Sequence, residues 1–98
     1  MSRMASAPLP ERYKLVFFVP PQDLARCKDA VLVAGAGTHA GYSEVCFVTP
    51  GVGQFRPGET ASPAVGQKGE IQEIGEVRCE TTCNGREITQ AAVAALKK

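Results

Sequence analysis

The segment from Tyr13 to Val19 is the sequence feature that most constrains the fold. It alternates as a β-strand does, so that Tyr13, Leu15, Phe17 and Val19 point to one side and Lys14, Val16 and Phe18 to the other. Both sets are largely apolar. We therefore expect a central strand of a sheet, covered by helices on one side and able to receive a partner on the other.

Pro20 and Pro21 end this strand and open a helix, because proline is tolerated in the first helical turn. The apolar residues that follow repeat at helical spacing, namely Leu24, Cys27, Val31 and Ala34. Gly35 and Gly37 are expected to end the helix.

Two more strands are predicted further along the chain. The second runs from Tyr42 to Thr49 and leads into a glycine-rich loop, residues 51–58, and a polar irregular excursion over 59–67. The third runs from about residue 70 to Cys83, with Gly75 as the position of a bulge. Its odd-numbered residues from Val77 to Cys83 are expected to share one face.

A final helix is predicted after the Asn84–Gly85 turn. Asn84 is expected to cap it, with Glu87 three residues later in the manner of a capping box. Its apolar stripe is Ile88, Ala92, Ala95 and Leu96. The element order βαββα predicts an α+β sandwich of the ferredoxin-like type, βαββαβ, with the usual last strand missing.

Composition limits the classes of function. The chain has 98 residues, 44% of them hydrophobic, and a net charge of +1. We expect a flexible tail over residues 1–11 and a single domain over 12–98. The weak charge argues against nucleic-acid binding, and no apolar run approaches the roughly 20 residues that span a membrane. No signal peptide is recognised, which predicts a cytoplasmic protein.

The four cysteines are expected to be reduced and structural. Cys27, Cys46, Cys79 and Cys83 form no CxxC pair. Cys79 and Cys83 lie about 13 Å apart along the predicted strand, too far to form a disulfide or to share a metal ion. No metal site is predicted.

The glycine-rich segment carries the candidate site residues. Gly51 and Gly53 could present backbone N–H groups to an anion held by Arg56, and Gln54 and Phe55 are candidate ligand or subunit contacts. The alternative for Arg56 is a structural ion pair with Glu59, Glu76 or Glu80.

His39, the one histidine, joins the candidate contacts because it lies in a second glycine-rich loop. Without a partnered nucleophile or a carboxylate cluster it forms neither a catalytic triad nor a metal site.

Nucleotide-binding and catalytic motifs are missing from the sequence. Gly35, Gly37 and Gly41 do not form GxGxxG and follow a helix rather than a strand, and no GxxxxGK[ST] occurs. No acid–base or nucleophile–base pair can be named. We therefore expect neither an enzyme nor a bound cofactor.

The chain resembles the small inserted or free-standing domain of the YqfO family, the Ngg-interacting-factor-three-like proteins. The match begins at Tyr13–Pro20 and includes Gly53–Pro57, which is similar to the GQFRP signature of that family. It covers residues 12 to 97. The resemblance implies a fold similar to the PII and CutA proteins, which self-associates through its sheet.

Two features of the family have no counterpart in this sequence. The metal ligands of its large members belong to a flanking core domain, and no residues here match them. The family also continues after the last helix with a motif like HPYEEPAY and a closing strand. We expect either a truncated form or an edge completed by another molecule.

Two functional hypotheses follow. The first is a non-catalytic, self-associating module with a regulatory or scaffold role, a dimer or trimer formed through the sheet. The second is a small-ligand or metal-ion sensor that binds at the 51–58 loop, in a cleft between subunits. Neither involves nucleic acid or a membrane.

Overall fold

The computed structural model describes residues 11–59 and 67–97, which form five main elements. The strands are β1 (Arg12–Val19), β2 (Phe47–Phe55) and β3 (Gln72–Asn84), and the helices are α1 (Leu24–Val33) and α2 (Arg86–Leu96). A short 3₁₀ turn, Pro21–Asp23, precedes α1. Most of the predicted tail over 1–11 and of the excursion over 59–67 lies outside the described residues.

The strands form one antiparallel sheet in the order β1-β3-β2. The prediction that β1 is the central strand is therefore wrong, because β3 occupies that place. Apolar residues on both faces of a strand show that both faces can pack, whereas a central position requires hydrogen-bonding neighbours on both edges. The periodicity of apolar residues shows which faces of a strand are buried, but it does not show how many neighbouring strands pair with it.

Both helices pack on one face of this sheet. The odd-numbered residues of β3 from Val77 to Cys83 are buried on this face, as the alternation predicted. The core contains Val31 of α1, Ala36, Cys83 and Ala92 of α2. The result is a small α+β fold with one face covered by helices. No element of residues 11–59 and 67–97 covers the other face, which we call the open face.

The position of β2 differs from the predicted strand over 42–49. Strand pairing begins at Phe47, opposite Glu80, and continues through Phe55, opposite Gln72. The predicted loop is thus a strand as far as Phe55. Pro50 and two glycines are tolerated in it because β2 lies at the edge of the sheet. β2 has a hydrogen-bonded neighbour on one side only, so the N–H group that proline lacks is not needed on the other side. Gly75 pairs regularly with Val52, so the predicted bulge is absent.

The start of α2 also differs from the prediction. Asn84 is the last residue of β3, and its Nδ2 donates a hydrogen bond to the carbonyl oxygen of Thr38 at 2.5 Å. Gly85 takes the N-cap position at φ 92°, with no side-chain cap. The predicted capping box is therefore wrong, because the Asn84 side chain instead ties β3 to the loop after α1.

Beyond β1, the sheet continues as a two-stranded arm. The pairing of β1 ends at Val19 opposite Val77, while residues 51–55 continue to pair with residues 72–76. We call these two paired segments the arm. Val52 within it is 70% exposed, which shows that the helices do not cover the arm.

An ion triplet connects β1 to β3 on the open face. Arg78 Nη1 donates to Glu80 Oε1 at 2.7 Å, and Lys14 Nζ lies 3.3 Å from Glu80 Oε2. The hydrogen bond from Arg78, followed by that from Lys14, holds the pKa of Glu80 below its ordinary value.

Neither helix among the described residues has the length and apolar character that a membrane span requires.

Replacing Val31 by alanine should lower the free energy of unfolding by about 2 kcal/mol, because the side chain is fully buried and its loss leaves a cavity. The matched control is Val33→Ala in the same helix, where the valine is 88% exposed. Both substitutions change helix propensity equally, so their difference isolates burial. Urea denaturation measures both; equal effects would contradict the assigned core.

Replacing Glu80 by glutamine should flatten the dependence of stability on acid pH. A carboxylate whose folded pKa is depressed stabilises the fold above its unfolded pKa, and this contribution is lost as pH falls through the folded pKa. Denaturation between neutral pH and about pH 3 measures the change. Glu73→Gln is the control, since Glu73 forms no ion pair among the described residues. An identical profile for both variants would contradict the role of the triplet.

Candidate functional site on the open face

A shallow cavity of about 230 Å³ lies on the open face, where β2 meets β3. It occurs there because β2 contributes two glycines to this face, Gly51 opposite Glu76 and Gly53 opposite Ile74. The lining residues come from all three strands: Phe18, Thr49, Pro50, Gly51, Val52, Gly53, Glu76 and Arg78.

Gly53 determines where the Glu76 side chain lies. A Cβ atom at position 53 would overlap the carboxylate of Glu76, so this carboxylate rests directly over the glycine. Glycine is needed here for close approach rather than for a left-handed conformation. The sequence of β2 thus places an acidic group within the surface of the sheet.

The two charged side chains of the cavity, Glu76 and Arg78, differ in their ion pairing. Arg78 is held by Glu80, whereas Glu76 forms no ion pair among the described residues. Phe18, 62% exposed, supplies an aromatic wall, and Thr49 lies opposite Arg78. A carboxylate, a hydroxyl group and an aromatic ring can bind a small polar or cationic group.

The predicted anion nest does not form. Neither Gly51 nor Gly53 is among the residues with positive φ, and both belong to a strand. In a strand, the N–H groups of Gly51 and Gly53 point the same way but run parallel, about 6.6 Å apart, whereas a nest needs neighbouring N–H groups that converge on one point. Of the predicted contacts in this segment, these two glycines line the cavity through their backbone.

Gln54, Phe55 and Arg56 lie beyond the cavity, at the far end of the arm. Arg56 Nη1 donates to the carbonyl oxygen of Gly69 at 2.7 Å, and the N–H of Gly69 donates to the carbonyl of Pro57 at 2.6 Å. Arg56 therefore has a structural contact, but none of the predicted ion pairs with Glu59, Glu76 or Glu80 is present. Roles for these three residues in binding stay predictions.

His39 lies far from this segment. Its Nδ1 accepts a hydrogen bond from Arg12 Nη1 at 2.7 Å, and its backbone pairs with Tyr42. Arg12 is opposite Asn84, ten residues along β3 from the partner of Gly53, which corresponds to about 33 Å. The structure therefore does not bring His39 and the 51–56 segment into one site.

The cysteines are free thiols, buried or half-buried, as predicted. Burial, followed by the neighbouring Cys46, raises the pKa of Cys79 to about 11, and burial also raises the pKa of Cys83. Such thiols are poor nucleophiles at neutral pH. Within residues 11–59 and 67–97, no three His, Cys, Asp or Glu side chains are grouped to hold a metal ion.

Sequence reasoning missed six of the residues that line the cavity, namely Phe18, Thr49, Pro50, Val52, Glu76 and Arg78. The alternation of β1 and β3 already placed Phe18, Glu76 and Arg78 on the face opposite the buried one. What was missing was the extension of β2, which brings the glycines next to them.

No family model matches the chain. Among curated proteins, it is 33% identical over 85 residues to a "GTP cyclohydrolase 1 type 2 homolog" of Halalkalibacterium halodurans, covering 87% of this chain and 23% of that protein. Proteins with the same name match from Mycobacterium leprae (40% identity, 74% of this chain, 19% of that protein) and Bacillus subtilis (38%, 69% and 18%). The chain thus spans about a fifth of the length of these relatives.

A solved structure agrees with these matches. The chain is similar to a Bacillus cereus protein related to NIF3, with a TM-score of 0.78 and 29% identity, over 92% of this chain and 22% of the other. The agreement of sequence and structure confirms the resemblance carried by the strand at Tyr13–Pro20 and the Gly53–Pro57 motif. The chain belongs to the family of YqfO and NIF3-related proteins, in which it corresponds to one segment of the longer members.

Proposed function

We propose that this chain is a non-catalytic module that self-associates through its sheet and serves a regulatory or scaffold role. Its fold is proposed to be a ferredoxin-like arrangement similar to the PII and CutA proteins. The strand order β1-β3-β2, with both helices on one face, supports this arrangement. The four free cysteines support a reducing, cytoplasmic location.

The observation that carries the proposal is the pair of exposed phenylalanines on the open face. Phe18 on β1 is 62% exposed and Phe47 on β2 is 66% exposed. They belong to opposite outer strands, with the ion triplet between them. Exposed aromatic side chains, on a face without helices, are enriched at surfaces that bind another protein.

The arm extends this surface. In a strand, residues an even number of positions apart share a face. Phe55 therefore lies on the open face with Phe47, and Ile74 lies there with Glu76. A two-stranded ribbon that no helix or further strand of the described residues covers is only marginally stable alone. Contact with a second molecule would cover it.

The state of the potential catalytic groups among the described residues agrees with the non-enzymatic part of the proposal. In the part of the chain that the structure describes, His39 is hydrogen-bonded to Arg12, and the pKa values of two of the thiols are raised. The relatives named "GTP cyclohydrolase 1 type 2 homolog" are matched over only about a fifth of their length. We therefore do not extend that activity to this segment.

The double variant Phe18→Ser, Phe47→Ser should weaken self-association at least tenfold, because burial of each phenylalanine is worth roughly 1.5–3 kcal/mol. Sedimentation or light scattering over a concentration series measures the change. Val33→Ser is the matched control, since this valine is 88% exposed but lies on a helix. A wild-type chain that stays monomeric up to about 1 mM would overturn the proposal.

A second function is favoured by the cavity over Gly51 and Gly53, namely a small-ligand or metal-ion sensor at a subunit cleft. Nucleotides, inorganic anions, divalent metal ions and small ammonium compounds are the probes. A probe at a hundred times its Kd should stabilise the wild-type fold by about 2.7 kcal/mol. Thermal unfolding with and without each probe measures this.

Gly53→Ala should abolish that stabilisation, because a methyl group would displace the Glu76 carboxylate that lines the cavity. Gly58→Ala is the control, since a Cβ atom there would contact no described residue within 4 Å. If no probe stabilises the wild-type fold, or if a probe acts equally on both variants, the cavity is not a sensor site.

A further inference from the structure

The Asn84–Gly85 turn is a sequence motif to which the proposed function gives no role. Asn84 is the only asparagine of the chain, and a glycine follows it. In this dipeptide the backbone nitrogen of the second residue readily attacks the side chain of the first, because glycine has no Cβ atom to hinder the attack. The pair is therefore a candidate for a chemical modification.

The reaction is an intramolecular deamidation. The nitrogen of Gly85 forms a bond to Cγ of Asn84, the bond from Cγ to Nδ2 breaks, and Nδ2 leaves as ammonia with the proton of the Gly85 N–H. Water then opens the resulting succinimide ring at either carbonyl group, which gives aspartate or isoaspartate. The net change is the uptake of water and the release of ammonia, without oxidation, reduction or a cofactor.

Both reacting groups are held by hydrogen bonds in the fold. The N–H of Gly85 donates to the carbonyl oxygen of Glu11 at 2.7 Å. Nδ2 of Asn84 donates to the carbonyl oxygen of Thr38 at 2.5 Å. The Gly85 nitrogen must give up its bond before it can attack, and the side-chain amide must leave Thr38 before Cγ can reach that nitrogen. Each step costs a hydrogen bond, so the folded arrangement opposes the reaction.

The carbonyl side of Gly85 is also fixed. Gly85 is the N-cap of α2, and its carbonyl oxygen accepts hydrogen bonds from the backbone N–H of Thr89 at 3.2 Å and from the Thr89 hydroxyl at 2.8 Å. α2 carries the fully buried Ala92. Rotation of the backbone between Asn84 and Gly85 would therefore disturb the packing of α2 on the core.

The start of β1 is the end of the ladder that closes this site. Arg12 opposite Asn84 is the first pair of β1 with β3, and Glu11 lies one residue before it. The ends of paired strands open more readily than their centres. The exposed side chain of Arg12 is tied to His39 by a hydrogen bond of 2.7 Å from Nη1 to Nδ1, which helps to hold this end.

We infer that Asn84 is a deamidation site which the fold keeps closed, and that separation of the first residues of β1 from β3 opens it. An opening of the fold is thereby recorded as a permanent covalent change. The site belongs to the fold of a single chain, so the inference does not depend on the proposed self-association.

The modified site cannot close again. The carboxylate that replaces the amide is an acceptor only, so it repels the carbonyl oxygen of Thr38 instead of donating to it. Isoaspartate also adds a methylene group to the main chain between β3 and α2. This shifts α2 relative to the sheet, where Ile88 and Ala92 pack in the core. The purified deamidated chain should therefore unfold at a lower urea concentration than the unmodified chain.

The first test compares the folded and the unfolded chain. Both are incubated in mildly alkaline buffer, the second in guanidinium chloride, and the mass of the intact chain is followed with time. Because Asn84 is the only asparagine, the mass change reports on this residue, and a protein isoaspartyl methyltransferase detects isoaspartate. The unfolded chain should react at least about tenfold faster. Asn84→Gln is the control and should not react in either condition, since its longer side chain closes a six-membered ring far more slowly.

The second test locates the opening with two arginine variants. Arg12→Ala removes the bond to His39 and should speed deamidation of the folded chain severalfold. Arg26→Ala is the matched control, because this exposed arginine pairs with Asp23 beside α1, and its rate should equal that of the wild type. Hydrogen exchange of the Gly85 amide should accelerate in Arg12→Ala in parallel with deamidation.

Four results would overturn the inference. Equal rates in the folded and unfolded chain would show that the fold does not close the site, and an unfolded chain that does not deamidate would show that Asn84 is not a modification site. Equal rates for Arg12→Ala and Arg26→Ala would place the opening elsewhere. A larger acceleration by Val31→Ala, which destabilises the whole fold, than by Arg12→Ala would assign the reaction to global unfolding.

Discussion

The pairing of β3 with both other strands is the constraint on which the rest of the structure depends. β3 has a neighbouring strand on each edge and helices on one face, and every second side chain from Val77 to Cys83 is therefore buried. Thr81 is the one polar member of this row, and its hydroxyl donates to the carbonyl of Val45 at 2.6 Å. That bond satisfies a buried group and also fixes where the chain enters β2.

The connection from α1 to β2 is held by the same strand. The N–H of Gly37 donates to the carbonyl of Thr82 at 2.7 Å, and its own carbonyl accepts from Val45 N–H at 2.9 Å. Gly37 has a φ of 85°, and a Cβ atom there would lie 2.8 Å from the Val45 backbone and from Leu32. Only glycine meets both conditions without strain. Of the three glycines after α1, none of which belongs to a nucleotide-binding motif, Gly37 is therefore required by the packing of this connection.

The helices and the faces of β1 and β3 could be predicted because they depend on local periodicity. Val31 and Ala92 fell on predicted apolar stripes and proved fully buried. Two features could not be predicted: the place of β1 at the edge and the extension of β2 to Phe55. Both depend on pairing between segments that are distant in the sequence. Arg56 illustrates the same limit: its partner is a backbone carbonyl at Gly69, and a carbonyl has no signature in the side-chain pattern.

The glycines of β2 act through the side chains they lack. The two helices cover only one face of the three-stranded sheet, so the open face must be compatible with water or with a partner. Phe18 and Phe47 project from that face, while Gly51 and Gly53 leave a depression beside them. A surface with both projections and a depression can be complementary to a copy of itself, because a two-fold contact presents each feature to the other. The same depression, bordered by Glu76 and Arg78, is also the place where a small ligand would be enclosed by such a contact. Self-association and ligand binding are therefore compatible uses of one surface, and the glycine-rich segment contributes to both as a strand rather than as a loop.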